Sequence, residues 1–487
     1  MIKQIKSLKP EELWLNFYQL TQIPRLSKFE KKITDHIINL VRLKNLEFQT
    51  DKSGNLIVRK PATTGYENKE VVILQSHLDM VGQKFPESKH NFETDSIDAF
   101  IDGQWVMAKQ TTLGADNGIG VAAILSVLES SHIEHGPIEA LFTVSEEIGM
   151  IGALGLEPKL LEGKILINLD TEEEGKLYVG CAGSADSKIV FNYQNTNSPA
   201  GYIAKKVSIK NLKGGHSGLD IHLNRGNANK MLNRILINAN QHLGLIVSSI
   251  SGGTLRNVIP SEAEAIIAIP ENEFENLIKF VKEIENYCKK SLTDEAEFSI
   301  TLEECEMPQN FIDFETLDNF LNAVHLAPNG VIKMSKKLKG VVETSTNMAT
   351  IKSENNEIQV NFFHRSLSES AKANLINQIE ELFIKYGAKI YKTGNSPGWK
   401  PNHDSIILKI MKEVYEETFG RMPVVKVIHA GLECGVIFSV YPQLDMISIG
   451  PTIKNAHTPS EKVNIKSVEK FYKFLLATLK NVPDRKK

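Results

Sequence analysis

The spacing of hydrophobic residues predicts two kinds of folded unit in this chain. In residues 1–186, short continuous apolar runs alternate with segments of helical spacing, beginning with residues 11–46, where Pro24 interrupts the pattern. Such segments are typical of a buried, mostly parallel sheet that is covered by helices. We predict strands at residues 71–74, 138–144 and 165–167 and a further helix at residues 118–128.

Residues 187–398 follow a different pattern, in which glycine- and asparagine-rich loops separate strands of alternating polarity. The predicted strands include residues 205–209 and 357–361, and the predicted helices are 227–243, 273–292 and 370–386. This pattern favours an antiparallel sheet with helices on one face. Residues 399–487 return to the first pattern, with helices at 411–419 and 468–479 and a strand at 446–449. The sequence therefore predicts an α/β domain, residues 1–186 and 399–487, interrupted by an α+β insertion, residues 187–398.

Composition narrows the class of protein. The net charge of −3 over 487 residues, with 41% hydrophobic and 24% charged residues, is that of an ordinary globular protein and argues against nucleic-acid or membrane-surface binding. No apolar run reaches the ~18 residues of a membrane-spanning helix. The beginning of the chain also lacks the apolar core of a secretory signal. These features predict a cytoplasmic protein.

The cysteines limit what kind of metal site is possible. They are widely separated and form no C-x-x-C pair, which disfavours a thiolate zinc site and a redox motif. They are Cys181, Cys288, Cys305 and Cys434. Any metal must therefore be held by histidine and carboxylate side chains.

Histidine and acidic residues gather where the predicted apolar strands end. His77 and Asp79 follow the first strand, and their spacing allows Asp79 to orient the His77 ring. Glu146 and Glu147 follow the second strand, and adjacent acids can divide the work of binding a metal and accepting a proton. Asp170 follows the third strand.

Two further residues lie in loops, and each alone has an ordinary explanation. Asp116 precedes a helix and could simply cap it, while His457 could be a surface histidine. The combination is more informative, because ligands of open α/β sheets bind at the carboxyl ends of the strands. Nitrogen and oxygen ligands without thiolate suit one or two Zn²⁺ ions, or Mn²⁺ or Co²⁺. The acidic run at residues 171–175 is predicted to be a solvated loop.

The motifs identify a family resemblance that runs in unchanged order from near the first residue to the final helix. They are SHLDMV, TTLGADNGIG, SEEIGM, INLDTEEEG, YVGCAGS, GGHSG, HAGLECG and SIGPTIKNAHTPSE. Together they resemble the co-catalytic di-zinc peptidases, a family that includes carboxypeptidase G-type enzymes and aminoacylases, and within it the dipeptidases that cleave Xaa-His. The resemblance implies a zinc-peptidase catalytic domain, α/β with a mostly parallel sheet, interrupted by an α+β lid domain.

The resemblance also implies a role for each matching residue. Asp116 would bridge two Zn²⁺ ions, with a cis peptide bond to Asn117. His77 and Asp170 would complete one metal site, and Glu147 and His457 the other. Asp79 would orient His77, and Glu146 would be the general base.

The lid domain would contribute substrate contacts. The resemblance implies that His216 stabilises the oxyanion. Asn257 and Arg365 would hold the substrate's backbone and carboxylate, for which the planar fork of an arginine is suited. Glu433 would line the pocket near the substrate amine.

The resemblance thus implies a metal-dependent dipeptidase that cleaves Xaa-His and other unblocked dipeptides by attack of a metal-bridging hydroxide. A di-zinc N-acyl amino acid deacylase or carboxypeptidase is the alternative enzyme, because the ligands hardly distinguish them. A catalytically inactive peptide-binding protein is disfavoured, since a binder needs no general base such as Glu146. The expected partners are dipeptide substrates and a second copy of the chain in a homodimer, with no nucleic acid and no membrane.

Overall fold

The chain folds into two compact units. The computed structural model describes residues 5–292, 295, 297–336, 338, 340–402 and 404–485. The first unit contains the described residues up to Cys181, then Trp399–Val427 and those from Leu432 onward. The second unit contains Ala182–Gly398 and Ile428–Gly431.

The division differs in detail from the predicted boundary at residue 186. Residues 182–186 belong to the second unit. The strand Gly183–Asn192 begins there and pairs along its length with the strand Glu357–Ser366. Residues 428–431 join the same unit, and the backbone N–H of Ala182 donates to the carbonyl oxygen of Ile428. Strand pairing, which the local pattern does not reveal, therefore decides the boundary.

An eight-stranded sheet forms the centre of the first unit. Four neighbouring strands at its middle are parallel, and the pairs on either side whose register is known are antiparallel. The strands, in order across the sheet, are Glu47–Thr50, Leu56–Lys60, Ile138–Thr143, Val72–His77, Ile165–Asn168, Asp445–Ser448, Lys176–Cys181 and Val424–Ile428. Every residue of the three middle strands Ile138–Thr143, Val72–His77 and Ile165–Asn168 is buried, as expected for a sheet covered on both faces.

Helices accompany this sheet, and all of them except Ile151–Leu154 and Glu433–Val440 contribute residues to one hydrophobic core. Their bounds are Glu11–Thr21, Lys31–Leu43, Ala115–Glu129, Ile151–Leu154, Ile406–Phe419, Glu433–Val440 and Ile465–Lys480. The helices Glu11–Thr21 and Lys31–Leu43 lie within the predicted helical segment 11–46, and the break between them includes Pro24, as predicted. A four-stranded antiparallel sheet also belongs to this unit; its strands are Ala99–Asp102, Trp105–Ala108, Ile453–Lys454 and Lys462–Asn464.

The second unit is built on a nine-stranded sheet whose known pairings are all antiparallel. The strands along its main path are Ser299–Glu304, Tyr202–Lys210, Ala263–Pro270, Ile246–Gly252, Val342–Glu354, Glu357–Ser366, Gly183–Asn192 and Lys389–Ser396, and Gly330–Met334 pairs with Val342–Glu354. The helices are Ala228–Leu243, Phe274–Ser291, Phe314–Leu326 and Glu369–Lys385. Short strand pairs join Asn195–Thr196 to Phe311–Ile312 and Gly215–His216 to Val258–Ile259.

The second unit has its own core, to which its sheet and all four helices contribute. Sheet and helices thus form an α+β unit, and the predicted fold class is confirmed for both parts of the chain. Among the residues that the structure describes, no helix has the length and apolar character needed to cross a membrane.

Candidate metal centre and active site

The parallel strands of the first unit bring the predicted ligands to one edge of the sheet. His77 is the last residue of Val72–His77, Glu146 and Glu147 follow Ile138–Thr143, and Asp170 follows Ile165–Asn168. Asp116 lies in the first turn of the helix Ala115–Glu129, and its peptide bond to Asn117 is cis, which confirms that expectation. His457 lies in the loop before the strand Lys462–Asn464.

Asp116 stands between two histidines and uses a different carboxylate oxygen toward each. His77 Nε2 lies 3.2 Å from Asp116 Oδ1 and 3.3 Å from Asp170 Oδ1. His457 Nε2 lies 3.0 Å from Asp116 Oδ2 and 3.0 Å from Glu147 Oε2. Each set of three offers ligand atoms within 4.8 Å of one another. The structure therefore brings all five predicted ligands together as two groups that share Asp116.

The donor atoms of the two groups fit divalent transition metals. Imidazole nitrogen and carboxylate oxygen without thiolate suit Zn²⁺, Mn²⁺ and Co²⁺. The Oε1 atom of Glu147 is buried and has no hydrogen-bond partner among the described residues, which leaves a lone pair for a cation. The carboxylate groups also supply the negative charge that a pair of divalent ions requires.

The pKa values of the histidines reflect the same excess of negative charge. Burial lowers the pKa of His457, but Asp116 and Glu147 outweigh this effect and raise it to about 11. Burial opposes protonation of His77 as well, yet Asp170, Asp116 and Asp79 hold its pKa well above the usual value. Positive charge is therefore stabilised at both places, which is the electrostatic condition for binding a cation.

Glu146 lies beside both groups without belonging to either set around Asp116. One of its carboxylate oxygens is within 4.8 Å of ligand atoms of His77 and Glu147. Burial raises the pKa of Glu146 well above its usual value, and the negative charges of Asp170 and Glu147 add to this effect. A carboxyl group with a raised pKa holds a proton more readily and is therefore suited to accept and then return one.

Asp79 connects the His77 ring to the segment that carries Glu146. The Nδ1 atom of His77 lies 3.1 Å from the Asp79 carbonyl oxygen and 3.4 Å from its Oδ1 atom. The Asp79 carboxylate also accepts the backbone N–H groups of Glu146, at 3.0 Å, and Glu147, at 3.1 Å. Burial raises the pKa of Asp79, but bonds from His77, Ser27 and Glu146 outweigh it and bring the value to about 2. Asp79 therefore restrains a ligand and the candidate base together.

Glu433 is fully buried, and His77 and Asp170 are among its electrostatic neighbours. Its predicted place near a substrate amine stays a prediction. The Oε2 atom accepts hydrogen bonds from Gln75 Nε2 at 2.6 Å and Thr143 Oγ1 at 2.7 Å, both on strands of the central sheet. Burial raises the pKa of Glu433 to about 7. The helix Glu433–Val440 begins at this residue and turns its carboxylate into the interior of the unit.

The acidic run at residues 171–175 is not the solvated loop that its charge suggested. Thr171 is buried, and Glu173 accepts hydrogen bonds from Tyr178 and Lys176 and, at 3.1 Å, from Lys426. Burial raises the pKa of Glu172 to about 8, with Asp116 the next cause. The segment connects the strands Ile165–Asn168 and Lys176–Cys181, and side chains from the second of these strands and from Val424–Ile428 pair with Glu173.

The predicted lid residues are neighbours within the second unit. Nη2 of the buried Arg365 lies 3.4 Å from Nε2 of His216, and the backbone N–H groups of Gly218 and Leu219 donate to His216 Nδ1. Asn257 precedes the strand Val258–Ile259, which pairs with Gly215–His216, and its carbonyl oxygen accepts the N–H of Ser217. The second unit thus collects a guanidinium, an imidazole and an amide in one region.

Several buried polar residues around the candidate site escaped the sequence analysis. Arg25 donates to the carbonyl oxygens of Leu78, Asp79 and Gly114, and Glu30 accepts two hydrogen bonds from Ser145. Glu461 accepts backbone N–H groups of residues 113–116. These residues follow turns, as surface residues also do, so nothing in their local sequence marks them as buried.

This chain is similar to known peptidases over almost its whole length. The model of "Peptidase family M20/M25/M40" matches residues 73–481. The chain is 40% identical to the cytosol non-specific dipeptidase of Escherichia coli (strain K12), over 99% of this chain and 100% of that protein. A crystal structure of aminoacylhistidine dipeptidase from Vibrio alginolyticus superposes with a TM-score of 0.89 at 42% identity, covering 99% of both chains. Aminopeptidase PepT from Bacillus cereus ATCC 10987, at 18% identity and a TM-score of 0.57 over 98% of this chain and 99% of its own, shares the fold.

Proposed function

The chain belongs to peptidase family M20/M25/M40 and is a peptide hydrolase, and we propose that it is a metal-dependent dipeptidase. Its substrates would be Xaa-His and other unblocked dipeptides. The similarity to the Escherichia coli and Vibrio alginolyticus dipeptidases supports this proposal, because it extends over both units at 40% and 42% identity. No observation favours an N-acyl amino acid deacylase or a carboxypeptidase in the same way.

The observation that carries the proposal is the shared position of Asp116 between two histidine–carboxylate groups. We propose that His77, Asp116 and Asp170 hold one cation and that Asp116, Glu147 and His457 hold a second. Zn²⁺ is the proposed metal, with Mn²⁺ or Co²⁺ as substitutes. When bound, such ions would polarise the scissile carbonyl group and lower the pKa of a water molecule.

The protein's own residues would then move the proton. Glu146 would accept a proton from the attacking water at its carboxylate and deliver it to the nitrogen of the leaving amine. Such an acid–base group typically contributes ~10²- to 10⁴-fold to the rate. Asp79 would hold the His77 ring and the backbone of Glu146, so that the ligand and the base keep their separation.

We further propose that three residues of the second unit serve the same reaction. His216 would donate a hydrogen bond to the developing oxyanion. Arg365 would bind the terminal carboxylate of the dipeptide through two parallel N–H bonds, and Asn257 would bind its backbone. The proximity of His216 and Arg365, at 3.4 Å, supports a common role for the two side chains.

The cellular context is part of the same proposal. The name of the Escherichia coli relative, a cytosol dipeptidase, supports a cytoplasmic location for this protein. We also propose that it acts as a homodimer, which size-exclusion chromatography with light scattering would test.

The decisive experiment compares metals and substrates in one panel. Protein stripped by a chelator would be assayed before and after addition of Zn²⁺, Mn²⁺ or Co²⁺, on free dipeptides and on their N-acetylated counterparts. We expect activity only after reconstitution, and only on the free dipeptides. Full activity in metal-free protein would rule out the cation site. Preference for the N-acetylated substrates would instead identify a deacylase or carboxypeptidase.

A further inference from the structure

Glu461 lies four residues after His457 and binds the loop that carries Asp116. Its Oε2 atom accepts the backbone N–H groups of Leu113, at 2.7 Å, and Gly114, at 2.8 Å. Its Oε1 atom accepts those of Ala115, at 2.7 Å, and Asp116, at 3.2 Å. One carboxylate therefore satisfies four consecutive backbone donors.

The position of Glu461 explains why a charged group is tolerated there. Its side chain is 2% exposed, so its carboxylate depends on protein donors for the hydrogen bonds that water would otherwise provide. The four donors lie in the segment that leads into the regular part of the helix Ala115–Glu129, because the backbone of Asp116 and Asn117 is not helical, and their N–H groups have no partner within the helix. The partial positive charge at a helix N-terminus further favours a carboxylate.

The side chain of Arg25 binds the same loop at the carbonyl oxygen of Gly114. The guanidinium donates to the carbonyl oxygen of Gly114 and, with its Nη1 atom, to those of Leu78 at 2.9 Å and Asp79 at 3.0 Å. A Cβ atom at Gly114, where φ is +70°, would come within 2.6 Å of Arg25 Nη2. Arg25 thus ties the Asp116 loop to the segment that follows His77, while Glu461 holds its N–H groups.

We propose that Glu461 is a positioning residue for Asp116. By fixing the backbone of residues 113–116, it keeps the two oxygens of Asp116 directed at His77 and His457, and so sets the geometry of both cation sites at once. The inference rests on the proposed function for its link to metal binding. The link from Glu461 to the loop is independent of it.

The substitution Glu461→Gln tests this role with little change of shape. The amide oxygen can still accept two N–H groups, but the NH₂ group would face the other two donors. Glu139→Gln is the matched control, because Glu139 is also 2% exposed and accepts the backbone N–H groups of Glu162 and Gly163. Glu139 lies at the opposite end of its strand from Glu146.

The first readout is hydrogen–deuterium exchange of the metal-free protein. We expect the amides of residues 113–116 to be protected in the wild type and in Glu139→Gln, and to exchange faster in Glu461→Gln. The second readout is the affinity for Co²⁺. It is measured from the visible absorption spectrum of the bound ion, at a temperature at which all variants are folded. Loss of a residue that orients ligands typically weakens metal binding ~10- to 100-fold, which is the effect expected for Glu461→Gln alone.

The outcomes separate this inference from the proposed function. If the wild-type protein binds no Co²⁺, the proposed cation sites are wrong. The exchange of residues 113–116 then decides by itself whether Glu461 fixes the backbone of this loop. Unchanged exchange and unchanged Co²⁺ affinity in Glu461→Gln would overturn the positioning role. A lower melting temperature with a normal spectrum and affinity would assign Glu461 to stability only. If Glu461→Gln does not fold, exchange of residues 113–116 in the wild type and in Glu461→Asp decides, and unprotected amides in the wild type would overturn the proposal.

Discussion

The candidate site of the first unit and two buried histidines of the second unit hold their polar side chains in opposite ways. At the candidate site, partly buried carboxylates contact the buried His77 and the half-exposed His457, and the pKa of His457 is raised to about 11. In the second unit, buried His364 and His429 contact hydroxyl groups instead, and burial lowers the pKa of each to about 3. The first arrangement collects charge, and the second keeps the rings neutral.

This difference indicates which buried polar groups have a chemical task. Groups of like charge that remain together in the interior cost stability unless a cation or another partner compensates them. A cluster such as Asp116, Glu147 and Asp170 is therefore a candidate site in its own right. A neutral histidine between two hydroxyl groups, as His364 is between Thr346 and Ser187, is explained by hydrogen bonding alone.

The largest effect that would test the comparison is the substitution Glu146→Ala in the first unit. We expect kcat to fall by ~10²- to 10⁴-fold, because the proton acceptor is removed. Two metal ions per chain should remain bound, since Glu146 belongs to neither group around Asp116. The measurement is turnover of a free dipeptide together with elemental analysis of the same sample.

The exposed Glu162 of the same unit provides the control for this prediction. Glu162→Ala should retain both activity and metal. Near-normal turnover of Glu146→Ala would remove the general-base role, whereas loss of a metal ion together with activity would make Glu146 a ligand.

The sequence predicts the position of a site residue when that residue lies at the end of a recognisable strand. His77 and Asp170 end or follow continuous apolar strands, and the carboxyl ends of parallel strands must meet at one edge. The local pattern therefore predicts both the strands and the gathering of ligands. His457 was recognised through the family motif, since its loop alone indicates an ordinary surface histidine.

The residues that support the ligands were not predictable in this way. Arg25 and Glu461 act through backbone groups of distant segments, and the contacts of Glu461 span more than 340 positions of the chain. Glu461 is the last residue of the motif SIGPTIKNAHTPSE, but the motif does not indicate which backbone N–H groups its carboxylate binds. The burial of Glu433 and the pairing of Glu173 were missed for the same reason, because both depend on which strands become neighbours.

In the second unit, the substitution Arg365→Lys should weaken substrate binding more than it slows the chemical step. Arg365→Lys replaces the planar fork by a single ammonium group, which loses one charge-assisted hydrogen bond of about 1.5–3 kcal/mol. We therefore expect kcat/KM for free dipeptides to fall ~10- to 100-fold, mainly through KM. Dipeptides with a C-terminal amide should be affected far less.

Arg256→Lys is the matched control for Arg365. Arg256 lies over the same Phe363 ring, at 5.1 Å against 4.6 Å for Arg365, but it is exposed and paired with Asp186. It should leave the kinetics unchanged. Equal losses on free and amidated dipeptides in Arg365→Lys would show that the residue does not recognise the carboxylate.

The smallest effect concerns the stability of the second unit in acid. Burial holds the pKa of His364 and His429 near 3 in the folded protein, whereas an unfolded histidine has a pKa of about 6.5. Above pH 6.5 both states are neutral, and the histidines leave stability unchanged as pH rises. Between pH 6.5 and 3 the unfolded chain binds protons that the folded chain does not, so each histidine lowers the free energy of unfolding by about 1.4 kcal/mol per pH unit as pH falls.

Replacing one of these rings should therefore flatten the pH dependence. We expect His364→Gln to remove about 1.4 kcal/mol per pH unit from the slope between pH 6 and 4, whatever it does to stability at neutral pH. The slope would be measured by urea titration with hydrogen exchange in the strand Glu357–Ser366 as the probe. His325→Gln, at an exposed position of the same unit, should keep the wild-type slope. An unchanged slope in His364→Gln would mean that this ring is protonated in the folded protein, and the contrast between neutral rings in the second unit and charged side chains at the candidate site would no longer hold.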